Sequence, residues 1–408
     1  MNYAHITREP YRFFFPLGCL AALIGAGYWV LFSLKIVSGY MPAAHASIQM
    51  QVFVHCFILG FLMTAMPRLT GTVSSQPGEV LHMALCVLGQ MVLLLKQQIL
   101  VAHFLFGWTL IALVIFMAQR VRSRRSGVAG GGGPPPEFVW LPLAMLTAWT
   151  SIGIEWAVQA QLISTEWFAV AKKMGEQGWV LGVICGVGGF LAPRLMGTFR
   201  APSLTDPSGQ KKRRALLHAM LGVLFLISFL LEVKSVLAGS GLRACVISVA
   251  VLYSLNGLAW PKVPEFYARL IWFSFLAMLS GLWGTLLFPS YAALALHALT
   301  IGGIALMIFS VATMVILTHQ GRPELLRKPL PILWLLSGAT VVSLLLRSIS
   351  FFDPAHYFRW VGISGAVWSL SVLIWFVWML PRVAKAVDPG EVERLHEQAK
   401  QRVVELRK

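Results

Sequence analysis

Charged residues are scarce in this 408-residue sequence: only 12% of its positions carry Asp, Glu, Lys or Arg, whereas 57% are hydrophobic. So few charges cannot cover the surface of a water-soluble protein of this length, and the mean hydropathy is +0.74, so a soluble globular fold is excluded. Acidic residues are the scarcer sign, with 16 against 33 basic residues and a net charge of +17. The composition predicts a polytopic helical membrane protein.

Cysteine is also rare, and its five positions lie in apolar runs at no metal-site spacing: Cys19, Cys56, Cys86, Cys185 and Cys245. We therefore expect neither a disulfide framework nor a zinc site. The absence of C-x-x-C-H excludes covalent haem attachment of the c type, so a haem would be held by side-chain ligation alone. A P-loop, a dinucleotide-binding glycine motif and a hydrolase triad pattern are missing too.

Long apolar runs are what the sequence has instead. A run of about 20 residues crosses the roughly 30 Å hydrocarbon core of a bilayer as a helix. We count twelve runs, near residues 14–36, 45–66, 80–95, 99–118, 138–160, 178–197, 216–233, 242–260, 269–288, 291–317, 329–349 and 360–380. The sequence thus predicts an all-α protein with a transmembrane domain at 1–380 and a basic, amphipathic helical tail at 381–408.

Lysine and arginine concentrate on one side of this predicted topology. They lie before the first run, after the fourth, sixth and tenth runs, and in the tail, whereas opposite loops such as 38–44 are nearly free of them. Cytoplasmic loops carry such an excess, so both termini are expected in the cytoplasm. Because topology explains the positive charge, we predict the lipid bilayer, and no nucleic acid, as its partner.

An internal repeat links the second and sixth runs. Residues 57–72 read FILGFLMTAMPRLTGT and residues 183–198 read VICGVGGFLAPRLMGT, with seven of sixteen positions identical. The tenth run ends in a looser version of the same pattern. We predict three quasi-equivalent arcs of four helices each, with the second, sixth and tenth helices innermost.

The histidines can be placed by their depth in the predicted helices. His45 opens the second run, His297 lies about six residues into the tenth, and His103 lies about as deep in the fourth, which makes an outer-side set. His55 lies about 15 Å deeper than His45 and on another face of its helix. Imidazoles on facing inner helices can hold haem iron or copper. Three histidines at cytoplasmic helix ends are expected to be solvated: His82, His218 and His319.

Glu155 is an acidic residue within the fifth apolar run. An unpaired carboxylate near the bilayer centre would cost about 2.5 to 3.5 kcal/mol. We therefore expect Glu155 to face the helix bundle and not lipid, either as a proton- or cation-handling group lining a polar cavity or as half of a structural pair.

Two segments resemble the signature regions of a known family. The stretch from His45 to Ala65 and the stretch from His297 to Arg322, with support from Glu9-Pro10-Tyr11-Arg12 and Gly365-Ala366-Val367-Trp368, are similar to the NnrS family. The resemblance implies a twelve-span protein of the bacterial inner membrane that contains haem and copper and is associated with denitrification and nitric oxide stress. By this resemblance His45 and His297 ligate a non-covalent b-type haem, and nitric oxide or a related small molecule is the partner.

The resemblance leaves the copper site conditional. Ser47 and Ile48 stand where the family pattern has a second histidine and a glutamate, so copper would require His55 or His103 as a substitute. The layout also resembles the main subunit of haem-copper oxidases, but that enzyme's paired histidines on helices six and seven are missing here, so oxygen reduction is not expected. The sequence does not identify an electron donor or establish turnover.

Two arginines complete the predicted site. Arg347 falls at the outer end of the eleventh run and Arg359 at the start of the twelfth. Both are expected to bind the haem propionates, since guanidinium groups bind carboxylates bidentately, or else to snorkel to the interface. The competing functional prediction is a proton-coupled secondary transporter, which internal repeats, central glycines and Glu155 would also suit.

Overall fold

The computed structural model describes residues 3–123, 134–199 and 207–385. Within these ranges twelve helices are long and apolar enough to cross a membrane, and no β-strand is present. They are α1 (Tyr11–Ser33), α2 (Pro42–Thr70), α3 (Pro77–Leu95), α4 (Ile99–Arg122), α5 (Pro136–Gln159), α6 (Glu166–Leu195), α7 (Ser208–Lys234), α8 (Val236–Ser254), α9 (Phe266–Leu287), α10 (Pro289–His319), α11 (Pro331–Phe352) and α12 (Pro354–Ala384). The prediction of a twelve-helix membrane protein is confirmed.

Proline and glycine mark the helix boundaries. Six of the twelve helices (α2, α3, α5, α10, α11 and α12) begin with proline, whose fixed φ and missing N–H suit the first turn. The three helices of the predicted repeat, α2, α6 and α10, instead end in the same way. Each is followed by a glycine in the left-handed conformation: Gly71, Gly197 and Gly321 have φ of 64°, 68° and 71°.

Helices α2, α6 and α10 form the inside of the bundle. Their most apolar windows are 72%, 67% and 72% buried within the protein, against 33–50% for the other nine described helices. The remaining helices surround them. The last helix, α12, packs along the first, α1. The expected arrangement, three arcs with the second, sixth and tenth helices innermost, is confirmed.

All three inner helices contain π-helical turns, which insert an extra residue and rotate the following side chains. The turns lie at Ile48–Phe53 in α2, at Met174–Gly178 and Ile184–Gly188 in α6, and at Ala298–Ala305 in α10. Such turns are uncommon and occur frequently at functional sites. We call the end of the bundle at which α2, α6 and α10 begin the distal face, and the end at which α1 begins and α12 ends the terminal face.

Helix α6 differs most from its prediction, because it begins at Glu166 and not near residue 178. Its first turns are too charged for a hydropathy criterion, but both of its lysines are paired. Lys173 forms an ion pair with Glu232, and Lys172 lies 3.8 Å from Glu176. The extension carries α6 to the distal face. At the other boundary, α12 continues to Ala384, and the predicted tail beyond residue 385 lies outside the described residues.

A buried ion-pair network joins four segments at the terminal face. The Glu9 carboxylate accepts hydrogen bonds from Arg12 at 2.7 Å, from Arg68 of α2 at 2.7 Å and from His319 Nδ1 of α10 at 2.9 Å. Arg12 also donates to the carbonyl of Val383 in α12 at 2.8 Å. The expectation that His319 is solvated is therefore wrong, since the imidazole is buried as part of this network.

His218 is a second histidine whose predicted solvation is wrong. The ring is fully buried, and its Nδ1 accepts a hydrogen bond from Trp140 Nε1 at 3.0 Å. His82 is exposed, as predicted, and accepts from Trp108 Nε1. Position near a helix end did not distinguish these cases, because the partners that bury His218 and His319, Trp140 and Glu9, come from distant parts of the sequence.

Candidate functional site

A cavity of about 340 Å³ lies among the distal ends of α2, α6, α10, α11 and α12. This volume is within the range of small-molecule and cofactor sites. Aromatic side chains make much of its wall, and the polar residues lining it come from five helices: His45, Gln49, Lys172, Glu176, Gln177, His297, Thr300, Arg347, Tyr357 and Ser364. The cavity is therefore the candidate functional site.

Two of the predicted ligands, His45 and His297, line this same cavity from different inner helices. The Nδ1–H of His45 is donated to the carbonyl of Gly25 in α1 at 2.8 Å, and that of His297 to the carbonyl of Ala293 at 2.6 Å. Neither Nε2 hydrogen-bonds to a residue that the structure describes. An imidazole held at one nitrogen by a backbone carbonyl, with the other nitrogen free, is the usual state of a metal-ligating histidine.

Arg347 brings a positive charge to the same cavity. Its guanidinium group donates to Tyr357 Oη at 2.9 Å, while its Nε is buried and has no hydrogen-bond partner. It makes no ion pair with a carboxylate in the described part of the chain. Because burying an uncompensated charge is costly, this arrangement favours an anionic group in the cavity.

Helix α6 supplies cavity residues that the sequence reasoning missed. Lys172, Glu176 and Gln177 line the cavity opposite the two histidine-bearing helices, and the π-helical turn at Met174–Gly178 includes two of them. The Lys172–Glu176 spacing of four residues was a usable signal, since such pairs lie on one face of a helix. Two charged residues one turn apart, just before an apolar run, indicate an extension of that helix.

The distribution of these residues agrees with a family comparison. Residues 5–386 of the chain match the family model described as "NnrS protein". The chain belongs to the NnrS family. The match covers all twelve helices, the Glu9 network and every residue of the cavity, so the resemblance inferred from the two histidine segments is confirmed. Among curated proteins no match to this NnrS-family chain is found.

His103 is not at the cavity of this NnrS-family protein. Its ring lies between α5 and α2: Nδ1 is 2.5 Å from Glu155 Oε2, and Nε2 accepts from the Ser47 hydroxyl at 2.9 Å. All three side chains are buried. Glu155 therefore faces the bundle, as expected, and its structural pair is the histidine that had been grouped with the outer-side set. Both nitrogens of His103 are engaged, so the ring is not free to ligate a metal.

His55 and Arg359 are the other predicted site residues that the structure keeps away from the cavity. His55 is fully buried between the rings of Phe106 and Trp179, with centroid distances of 5.1 and 5.7 Å. Arg359 is exposed and does not line the cavity. In the described ranges, no three or more His, Cys, Asp or Glu side chains are grouped so as to hold a metal ion. The substitution of His55 or His103 into a copper site has no support in this arrangement.

Aromatic rings close the cavity towards the terminal face. Phe53 and Trp368 line it and lie 6.1 Å apart, and Phe53 packs on Phe309 at 5.7 Å. Phe309 in turn packs on Trp375 at 4.9 Å. These residues come from α2, α10 and α12. The cavity thus has an aromatic, apolar floor within the bundle.

Proposed function

We propose that this NnrS-family protein binds a b-type haem in the distal cavity, where His45 and His297 would hold its iron. The observation that carries the proposal is the pair of imidazoles on α2 and α10, each anchored through Nδ1 and free at Nε2, in one cavity. The chain's residues fit this group: two nitrogen donors, apolar aromatic walls and a positive charge suit an iron macrocycle that carries carboxylates.

Arg347 is the residue proposed to bind a haem propionate. Its guanidinium group has no carboxylate partner in the described ranges and lies close enough for its charge to act on both histidines. Each charge-assisted hydrogen bond to a carboxylate contributes about 1.5 to 3 kcal/mol. Arg359 is exposed and lies away from the cavity, which favours the alternative that its side chain snorkels to the membrane interface.

Nitric oxide handling or response is the physiological role we propose, because the family resemblance implies it. The concentration of Lys and Arg outside the distal loops supports a bacterial inner-membrane protein with cytoplasmic termini and a cavity opening to the outer side. For copper there is less support, since the described residues contain no group of three or more His, Cys, Asp or Glu side chains that could hold the ion.

The alternative is a proton-coupled transporter with the same three-arc fold. One observation favours it: Glu176 is an acidic residue in a cavity formed by repeated, π-interrupted inner helices. Against it, Glu176 is already paired with Lys172 at 3.8 Å, and the aromatic floor blocks the route to the terminal face. A transport cycle would have to dismantle that floor.

Purification in detergent distinguishes the two functions. We expect an absorption spectrum with a Soret band and about one iron per chain, with copper well below stoichiometric. A colourless protein without iron, isolated from cells that are replete in haem, would contradict the haem proposal and favour the transporter.

A further inference from the structure

Three buried side chains between α2, α3 and α6 have polar atoms without a hydrogen-bond partner, and we call them the buried polar cluster: His55, Gln90 and Trp179. Each is fully buried. Both ring nitrogens of His55, the Oε1 of Gln90 and the Nε1 of Trp179 are unpartnered. The backbone carbonyl of Gln51 approaches the His55 ring as a weak hydrogen-bond acceptor, but neither ring nitrogen reaches the geometry of a full hydrogen bond.

These residues belong to one region of the interior. The rings of His55 and Trp179 are 5.7 Å apart. Gln51, one turn before His55, accepts a hydrogen bond from Gln90 Nε2 at 3.3 Å and donates one to the carbonyl of Gly175 at 3.2 Å. A polar chain therefore runs from α6 through α2 to α3. It begins beside the cavity, because Gly175 precedes the cavity residue Glu176.

The π-helical turns of α2 and α6 meet at this chain. Gln51 lies within the first turn and Gly175 within the second, and each turn is followed on its helix by a member of the cluster. A π-turn is costly and is kept where its geometry is needed. Here the two turns bring polar groups to an interface that would otherwise be entirely apolar.

Leaving these groups unpaired would be expensive. Each buried, unsatisfied polar group costs about 1 to 3 kcal/mol, and native proteins contain few of them. The requirements of the cluster also differ: the Trp179 N–H needs an acceptor, the Gln90 carbonyl oxygen needs a donor, and a neutral imidazole needs one of each. A metal cation cannot accept a hydrogen bond from indole. A small molecule that both donates and accepts can satisfy all three.

We propose that the buried polar cluster is a water-binding site, in which one or more ordered water molecules bridge His55, Gln90 and Trp179. Buried waters typically make about three hydrogen bonds to polar groups of this kind. The water extends the chain of Gly175, Gln51 and Gln90, so hydrogen bonding is continuous from the α6 wall of the cavity to His55. This inference does not depend on what the cavity binds.

The hydrogen-bonding state of the Trp179 indole tests the proposal. The frequency of the indole N–H mode in ultraviolet resonance Raman spectra reports hydrogen bonding, and the parent-minus-Trp179→Phe difference isolates this residue. Trp140→Phe is the matched control, because Trp140 is equally buried and its Nε1 donates to His218 at 3.0 Å. We expect the two difference bands to coincide. A Trp179 band at the frequency of a non-bonded indole would overturn the proposal.

A density map at a resolution that shows waters decides the matter if Trp179→Phe does not fold. We expect a peak within about 3.2 Å of Trp179 Nε1 and of a second cluster atom. The absence of any peak there would refute the water site. A peak at about 2.0 to 2.1 Å from a His55 nitrogen would also refute it, in favour of a metal ion.

Discussion

Replacement of Glu9 should destabilise the protein more than that of any exposed acidic residue. The Glu9 carboxylate is buried and accepts hydrogen bonds from Arg12, Arg68 and His319 at 2.7 to 2.9 Å. Removing one partner of a buried ion pair costs roughly 3 to 5 kcal/mol. Arg12 keeps the carbonyls of Val383 and Lys385 as acceptors, so we expect the lower end of this range, about 3 kcal/mol for Glu9→Ala.

The pH dependence gives a second readout of the same network. Burial by itself raises the pKa of Glu9, but the hydrogen bond and charge of His319 and the charges of Arg12 and Arg68 outweigh it, so the pKa is well below its usual value. A depressed pKa in the folded state stabilises the protein fully above the unfolded-state pKa of about 4.3, and this stabilisation is lost as the pH falls further. The difference in unfolding free energy between the parent and Glu9→Gln should thus shrink as the pH falls below about 4.

Equilibrium unfolding in mixed detergent micelles, followed by circular dichroism, measures both effects. Glu166→Gln is the control, because Glu166 is exposed and makes no ion pair in the described part of the chain. The network does not stabilise the fold as argued if Glu9→Ala has the same unfolding free energy as the control. The same holds if the difference in unfolding free energy between the parent and Glu9→Gln is undiminished at pH 3.

Three further pairs of variants test other parts of the account. Arg347→Ala should weaken haem binding roughly 10- to 100-fold in a titration, whereas Arg359→Ala should leave it unchanged; equal affinities would remove the propionate role. Gly281→Ala should lower the unfolding free energy by about 1 to 3 kcal/mol, since a methyl group there would lie 2.6 Å from the backbone nitrogen of Leu299, while Gly27→Ala, with open space, should not. Glu155→Gln should express almost normally because glutamine still accepts from the buried imidazole, and Glu155→Leu should express poorly; equal yields would contradict the pairing.

The number and order of the helices could be predicted from the sequence, because lipid requires long apolar runs and the repeated proline–arginine–glycine ending identifies the inner helices. The start of α6 was missed, although its Lys172–Glu176 pair was a local signal for it. Its charges are neutralised by residues distant in sequence, such as Glu232, and hydropathy cannot anticipate a long-range ion pair. The burial of His319 at a helix end was missed for the same reason, because its partner Glu9 is distant in sequence.

The candidate site was predicted only in part. His45 and His297 do share a cavity, and the argument that His55 lies on another face of α2 holds. Depth alone grouped His103 with them, but depth does not give the direction of a side chain. The π-helical turns change that direction in α2, α6 and α10, and no residue pattern in the sequence signals them.

The central claim is that His45 and His297 both ligate a haem. Absorption and electron paramagnetic resonance spectra of the purified parent, His45→Ala and His297→Ala proteins test it most directly, with His356→Ala as the control, since His356 is exposed and 3.0 Å from Asp353. We predict that the parent and the control show a low-spin, bis-histidine haem, and that the two cavity variants lose the Soret band or become high-spin. A full complement of haem with the parent's spectrum in either cavity variant would contradict the account.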